Sequence, residues 1–332
     1  MDKESKQFLY DLLLTPSASG YEQKIQNVVR KRMKPFAHAI ETDLHGNVTA
    51  ILNPNASRRV MLAGHCDQIA LMVKHITDDG FIYFDALGGI DVGVLPGSLV
   101  TVHTKSGPIE GVIGRRPIHL QPNEERGKTN SDISKLWVDI GMAKKKDVEK
   151  KVEIGAFITF KLVVTELGTD LFSAPALDDK VGVFVAMEAL RLCARAKLNV
   201  GLYAVSTVQE EVGLRGAKTA AYGIDPEIGI GIDVTHATDD PGNENKKEAP
   251  CKLGAGPCIS KGPNTNPELG NFLKQISQKK KIPFQISPSP KPLGNDTNAI
   301  QVNKRGVATA SIGIPNRYMH TQVEVCSYKD LE

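Results

Sequence analysis

The sequence predicts an α/β fold: a mostly parallel-sheet domain with helices on both faces, interrupted by an inserted small β-barrel domain. Three observations predict it. Helical-period segments alternate with short apolar runs at both ends of the chain. Those runs are nearly all apolar, as in VMLAG (60–64) and IGIGIDV (228–234), the signature of strands buried on both faces. From about residue 70 to 164 the helical signal almost vanishes. The domains are therefore expected at 1–69 with 165–332 (discontinuous α/β) and at 70–164 (β-rich insert).

Each element has its own signal. Phe8, Leu9, Leu12 and Leu13 fall at helical spacing within 3–14, and Pro16 ends that run. A second helix is expected over 22–34. AIETDLHGNVTAIL (39–52) reads as a hairpin turning at His45-Gly46-Asn47, and VMLAG is a buried strand leading straight into His65. In the insert, GFIYFDAL, SLVTVHTKSGPIEGVIG and FITFKLVV are strand-like, divided by turns at Asp78-Asp79-Gly80 and Lys105-Ser106-Gly107. KKKDVEKKV is the one short helical segment there. The polar loop over 114–132 is long enough to suggest a functional or mobile segment. Beyond it come a helix (179–197), a strand (200–208), a short helix (216–222) and a strand (228–234). Helices over 267–281 and 296–304 and a strand over 307–313 complete the pattern.

Composition excludes several classes. The 332 residues are 41% hydrophobic, with 30 glycines, which is ordinary globular usage. The net charge is +3, and the densest basic runs, Lys144–Lys146 and Lys279–Lys281, read as solvated helix faces. No nucleic-acid partner is expected. No run approaches the ~18 apolar residues of a membrane span, and the mixed-charge N-terminus is not a signal peptide. Five cysteines without a CxxC pair, three of them in apolar surroundings, fit a reducing compartment. The expectation is a soluble, cytoplasmic protein.

In open α/β sheets, ligands bind beyond the carboxyl ends of strands. His65 and Asp67 follow VMLAG. Asp178 and Asp179 open the 179–197 helix. Glu210 and Glu211 follow YAVSTVQ, Asp233 lies at the end of IGIGIDV, and His320 follows ASIGIPNRYM. Singly, each has a plain reading: a satisfied core histidine, a helix cap, a solvated strand exit, a loop residue. Jointly, acids crowded after buried strands would repel unless cations hold them. Carboxylates and imidazoles without thiolate suit Zn, Mn or Co. Adjacent glutamates reach one site only if the strand has ended by Gln209, which Gly213 permits. Five ligands serve two metals if one carboxylate bridges, leaving one acid of the Glu pair to act as general base on a bridging water. Asp67 is placed to accept the His65 imidazole N–H.

The runs AGHCDQIALMV, SAPALDDKVG, VSTVQEEVGLRGA, IGIDVT and IPNRYMHTQVEV together resemble the tetrahedral and glutamyl aminopeptidase family. These are dinuclear zinc metallopeptidases, some of them labelled cellulases. The resemblance covers nearly the whole chain. It implies that Asp178 bridges the metals, that His65 and Asp233 complete one site, and that Glu211 and His320 complete the other. It also implies Glu210 as catalytic base with Asp67 supporting His65. It implies two divalent ions, zinc first and cobalt or manganese as alternatives, and short peptides as substrates. It further implies homo-oligomers, from dimer to dodecamer, built through the inserted domain.

Two departures stand out. Pro292-Leu293-Gly294-Asn295-Asp296-Thr297 replaces the family's usual Gly-Thr-Asp-Ala, which bears on specificity. The chain also stops at KDLE, where relatives continue into a final helix, so an exposed apolar patch is expected. Rival readings are an endoglucanase-type glycoside hydrolase, a deacylase or carboxypeptidase of the same clan, and a non-enzymatic shell. The glycosidase needs two carboxylates about 5–9 Å apart and no imidazole, so His65 and His320 weigh against it. His236 and the Arg115-Arg116 pair read as loop residues, and no Gly-x-Ser-x-Gly motif supports a serine hydrolase.

Overall fold

A computed structural model describes residues 1–123, 132–242 and 249–332, in two compact units. One comprises Met1–Gln68, Val163–Met319 and Val323–Glu332. The other comprises Ile69–Leu162 with His320–Gln322.

The first unit opens with helices α1 (Lys3–Leu13) and α2 (Gln23–Met33). Asp2 caps α1, its carboxylate accepting from Ser5 N at 2.8 Å. The strands β1 (Ala39–Thr42) and β2 (Val48–Leu52) form the expected hairpin. Its turn is closed by Asp43, whose Oδ1 accepts from the amides of His45, Gly46 and Asn47. Strand β3 (Arg59–His65) ends at the first candidate site residue.

The second unit contains β4 (Ala70–Ile76), β5 (Ile82–Leu87), β6 (Leu99–Thr104), β7 (Gly107–Arg115), β8 (Leu136–Asp139), a short helix α3 (Lys145–Glu149) and β9 (Phe157–Phe160). Its six strands close into an antiparallel barrel in the order β4-β5-β8-β7-β6-β9. Val73, Ile82, Val100, Val102, Val138 and Ile158 fill its core. The short β8 gives no clear sequence signal because it directly follows the long polar loop. Of that loop, 124–131 lie outside the described residues, and Arg115 already belongs to β7.

The rest of the first unit runs through β10 (Thr165–Leu167), β11 (Leu171–Ala174), α4 (Leu177–Cys193), β12 (Gly201–Thr207), α5 (Arg215–Ile224) and β13 (Ile228–His236). It continues with β14 (Cys258–Lys261), α6 (Pro267–Lys280), β15 (Gln285–Pro288), α7 (Asp296–Gln301), β16 (Ala308–Asn316), β17 (Glu324–Ser327) and α8 (Tyr328–Leu331). Eight strands form one sheet in the order β1-β2-β12-β3-β13-β16-β14-β15. Its centre, β12-β3-β13-β16, is parallel, and antiparallel pairings join β2 and β14 to it. β10, β11 and β17 make a separate three-stranded sheet.

Both faces of the large sheet are covered. Ala50, Leu52, Leu202 and Ala204 pack in one layer with Leu9, Leu12, Ile25, Val183 and Leu190 from α1, α2 and α4. The alternate residues Ile51, Tyr203 and Val205 pack in the other with Ala217, Ala221 and Ile300 from α5 and α7. Each fully buried Leu, Val or Ile contributes about 1.5–3 kcal/mol of transfer free energy. All five cysteines are free thiols. Sequence spacing did not single out Cys251 and Cys258, yet their Sγ atoms lie 3.1 Å apart. Among the described residues no helix is long and apolar enough to cross a membrane.

Candidate metal centre

The parallel centre of the sheet aims three strand ends at one place. β3 ends at His65, β12 leads into Glu210 and Glu211, and β13 carries Asp233. The start of α4 is pressed against β3. A Cβ on Gly64 would stand 2.5 Å from the Gly182 carbonyl carbon, so only glycine fits there. This close approach lets Asp179 tie the two elements together. Its Oδ2 accepts from His65 N at 3.1 Å and its Oδ1 from Gly182 N at 3.0 Å. Asp178 and Asp179, joined by a cis peptide bond, both have non-helical dihedrals and are buried. Neither is a simple helix cap.

His65 sits among acids. Its Nε2 lies 3.0 Å from Asp178 Oδ1 and 3.8 Å from Glu210 Oε2. Its Nδ1 is 3.0 Å from the backbone oxygen of Asp67 and 3.5 Å from that residue's Oδ1. The nearest partner of the imidazole N–H is thus the Asp67 carbonyl, with the expected carboxylate behind it. Either acceptor fixes the tautomer that leaves Nε2 free to ligate. The Asp67 carboxylate has further work: Oδ1 accepts from Glu210 N at 2.9 Å, and Oδ2 from Glu211 N at 3.2 Å and Ser19 Oγ at 2.7 Å.

The adjacent glutamates meet the condition set by the sequence. β12 stops at Thr207, and Gln209 takes a left-handed φ of 54°, so the strand's alternation is broken before Glu210. The amides of Gly213 and Leu214 both donate to the Glu210 carbonyl, at 2.8 and 2.9 Å, and close the turn.

His65, Asp178 and Asp233 each offer a ligand atom within 4.8 Å of the others, and all three are buried. His320 belongs to the three-residue segment grouped with the barrel, where its ring lies 3.5 Å from the place of a Gly89 Cβ. Its own φ is 63°.

The electrostatics of the bare cluster are severe. Burial, then the neighbouring acids, pushes Asp233 up to about 8 and Glu210 up to about 10, with His65 pulling each the other way. Burial raises Asp179 and Glu211 as well. Burial pulls the His65 imidazole down, but Glu210 and the other surrounding carboxylates outweigh it and hold the ring well above its usual value. Oxygen and imidazole donors that cannot all ionise together fit divalent cations, which remove the repulsion.

Several residues of the site escaped sequence reasoning. Asp179 was grouped with Asp178 but given no task. Glu324, inside the run IPNRYMHTQVEV, accepts from Asp178 N at 2.9 Å and is buried. Asp296, in the segment that departs from the family pattern, is also buried. Its Oδ2 accepts from Thr207 Oγ1 at 2.5 Å, its Oδ1 has no hydrogen-bond partner among the described residues, and burial raises it to about 6. The signal for Asp296 was an acid at the start of a short helix, which reads as an ordinary first-turn residue. His236, considered as a pocket residue, is exposed at the end of β13.

Known proteins resemble this chain over nearly its whole length. The family model described as M42 glutamyl aminopeptidase matches residues 46–332. A lysyl aminopeptidase of Pyrococcus furiosus is 38% identical over 323 residues, 97% of this chain and 92% of the relative. A TET aminopeptidase from a marine-sediment Thaumarchaeota archaeon superposes with a TM-score of 0.94 at 31% identity, covering 99% of this chain and 94% of that one. The TET1 peptidase of Pyrococcus horikoshii, described as assembling into a tetrahedron or a large octahedral shell, gives 0.87 at 31% identity over 98% and 96%. The chain belongs to the M42 glutamyl aminopeptidase family and is a hydrolase of the aminopeptidase class.

Proposed function

We propose that the protein is a two-metal aminopeptidase that removes N-terminal residues from short peptides, with Glu210 as its general base. The observation that carries this reading is the buried group His65, Asp178 and Asp233 within ligand distance, with Glu210 Oε2 3.8 Å from His65 Nε2. One ion would be held by His65, Asp178 and Asp233, and a second by Asp178, Glu211 and His320, with Asp178 shared. Zinc suits the donor set, and cobalt or manganese would also be accepted. When bound, such ions supply Lewis acidity, lowering the pKa of a water and polarising the scissile carbonyl.

The chain's own groups do the rest. Glu210 takes a proton from the attacking water and returns it to the departing amine. Asp67 fixes the His65 ring through its carbonyl and the Glu210-Glu211 backbone through its carboxylate. Asp179 and Glu324 brace the main chain on either side of the shared ligand. A glycosidase would have no use for an imidazole at the centre of the acid cluster.

We also read the barrel as the assembly surface of a homo-oligomer, between a dimer and a dodecamer. The shells described for the Pyrococcus horikoshii relative support this. So do Leu99 and Val112, exposed cross-strand neighbours on β6 and β7.

A panel of aminoacyl chromogenic substrates, assayed after chelator treatment and again with Zn, Co or Mn restored, tests the function. Metal-dependent release of N-terminal residues is expected. Activity on a glucan substrate that survives the chelator would overturn it.

A further inference from the structure

Three consecutive amides, those of Gln209, Glu210 and Glu211, each donate to a carboxylate oxygen. Glu210 N and Glu211 N donate to the two oxygens of Asp67. Gln209 N donates to Glu22 Oε1 at 3.2 Å, and the same oxygen accepts from Gly20 N at 2.7 Å. Amides of successive residues point to one side only when the backbone leaves the extended form, and the φ of 54° at Gln209 supplies that change.

Glu22 has an obvious alternative employment that it does not take. It occupies the N-cap position of α2, where an acid usually accepts from the helix's first amides, yet its side chain makes no cap hydrogen bond. The carboxylate is instead buried and turned toward Gly20 and Gln209. Ser19, three positions earlier, donates to Asp67 Oδ2. Ser17 and Gln68 join the same two segments, with Gln68 N donating to the Ser17 carbonyl at 2.9 Å. Burying a carboxylate is costly, and here burial raises Glu22 to about 7. A group kept buried at such a cost and directed at the base's own turn is spent on geometry.

We infer that Glu22 and Ser19 are positioning residues for the reaction. Together with Asp67 they clamp the Gln209-Glu210-Glu211 backbone, and so fix where the Glu210 carboxylate stands. This rests on the reading of Glu210 as base. Neither residue need touch substrate or metal. A small displacement of a catalytic group costs up to about a hundredfold in rate.

The test uses the metal-loaded enzyme and four variants: Glu22→Ala, Ser19→Ala, Glu210→Gln and the double variant Glu22→Ala/Glu210→Gln. Glu22→Ala removes the one oxygen that accepts from both Gly20 N and Gln209 N, an acceptor that glutamine would keep. Its kcat is expected to fall by about tenfold or more, with KM and metal content unchanged. Ser19→Ala, a milder loss that leaves Glu22 in place, is expected to lower kcat in the same way by a few-fold. In the Glu210→Gln background, Glu22→Ala is expected to have no further effect, because a residue acting through the base cannot act once the base is gone. A normal kcat for both Glu22→Ala and Ser19→Ala overturns the inference. A fall in kcat that tracks lost metal, or one that repeats in full without the base, overturns it too. Near-normal turnover by Glu210→Gln itself would instead overturn the underlying reading of the base.

Discussion

His65 Nε2 lies 3.0 Å from Asp178 Oδ1, across 113 positions of sequence. The contact joins the end of a parallel strand to the start of the helix packed beside it. It exists because Gly64 lets the two backbones meet without a side chain between them, while Gly182 leaves room for the Asp179 carboxylate. Around this pair gather acids that cannot all be charged at once without cations.

Asp178 is the carboxylate proposed to serve both ions. Asp178→Ala should therefore lose at least one ion per subunit, and activity with it. Elemental analysis of the dialysed variant measures this. Two ions bound at unchanged affinity would remove Asp178 from its bridging role.

The metal-free protein should be less stable at alkaline than at acid pH. Asp233 and Glu210, raised to about 8 and about 10, keep their protons when folded over a range where the unfolded chain has lost them. Protons bound preferentially by the folded state make stability fall as pH rises, from about 4 up through those raised values. His65, raised when folded, acts in the same sense: its contribution is full below the unfolded value and lost as pH climbs through the folded one. Melting of the stripped protein at about pH 5.5 and about pH 8, with and without zinc, checks this. The stripped protein should melt lower at the higher pH, and zinc should restore it. A stripped protein that melts higher at about pH 8 speaks against the bare acid cluster.

Gly64→Ala should damage fold and site together. The new methyl would stand 2.5 Å from the backbone of Gly182, and overpacking of that kind costs about 1–3 kcal/mol or more. A Tm lowered by several degrees and weaker metal retention are the expected readouts. An unchanged Tm would mean that β3 and α4 are less tightly apposed than described.

Much of this was legible in sequence because its signals are local. The spacing of Phe8, Leu9, Leu12 and Leu13 marked α1, and the apolar runs marked β3, β12 and β13. β14 and β15 were missed, since four-residue strands at a sheet margin carry too little pattern to stand apart from loop. At the site, the acids and imidazoles announced themselves by following buried strands. What no local pattern could show was which acceptor each amide would find. Asp67 was read as a partner for His65, yet its carboxylate holds the amides of Glu210 and Glu211, more than a hundred positions away. Glu22 read as the start of a helix, and Asp296 as a first-turn acid. Their burial depends on distant chain segments closing over them.

The most direct measurement is the turnover of Glu210→Gln alongside its metal content. Glutamine keeps the size of the side chain but cannot take a proton. If Glu210 is the base, kcat falls by about a hundredfold to ten-thousandfold, while both ions and the melting temperature are retained. A variant that keeps its ions and turns over at a near-normal rate would contradict that role.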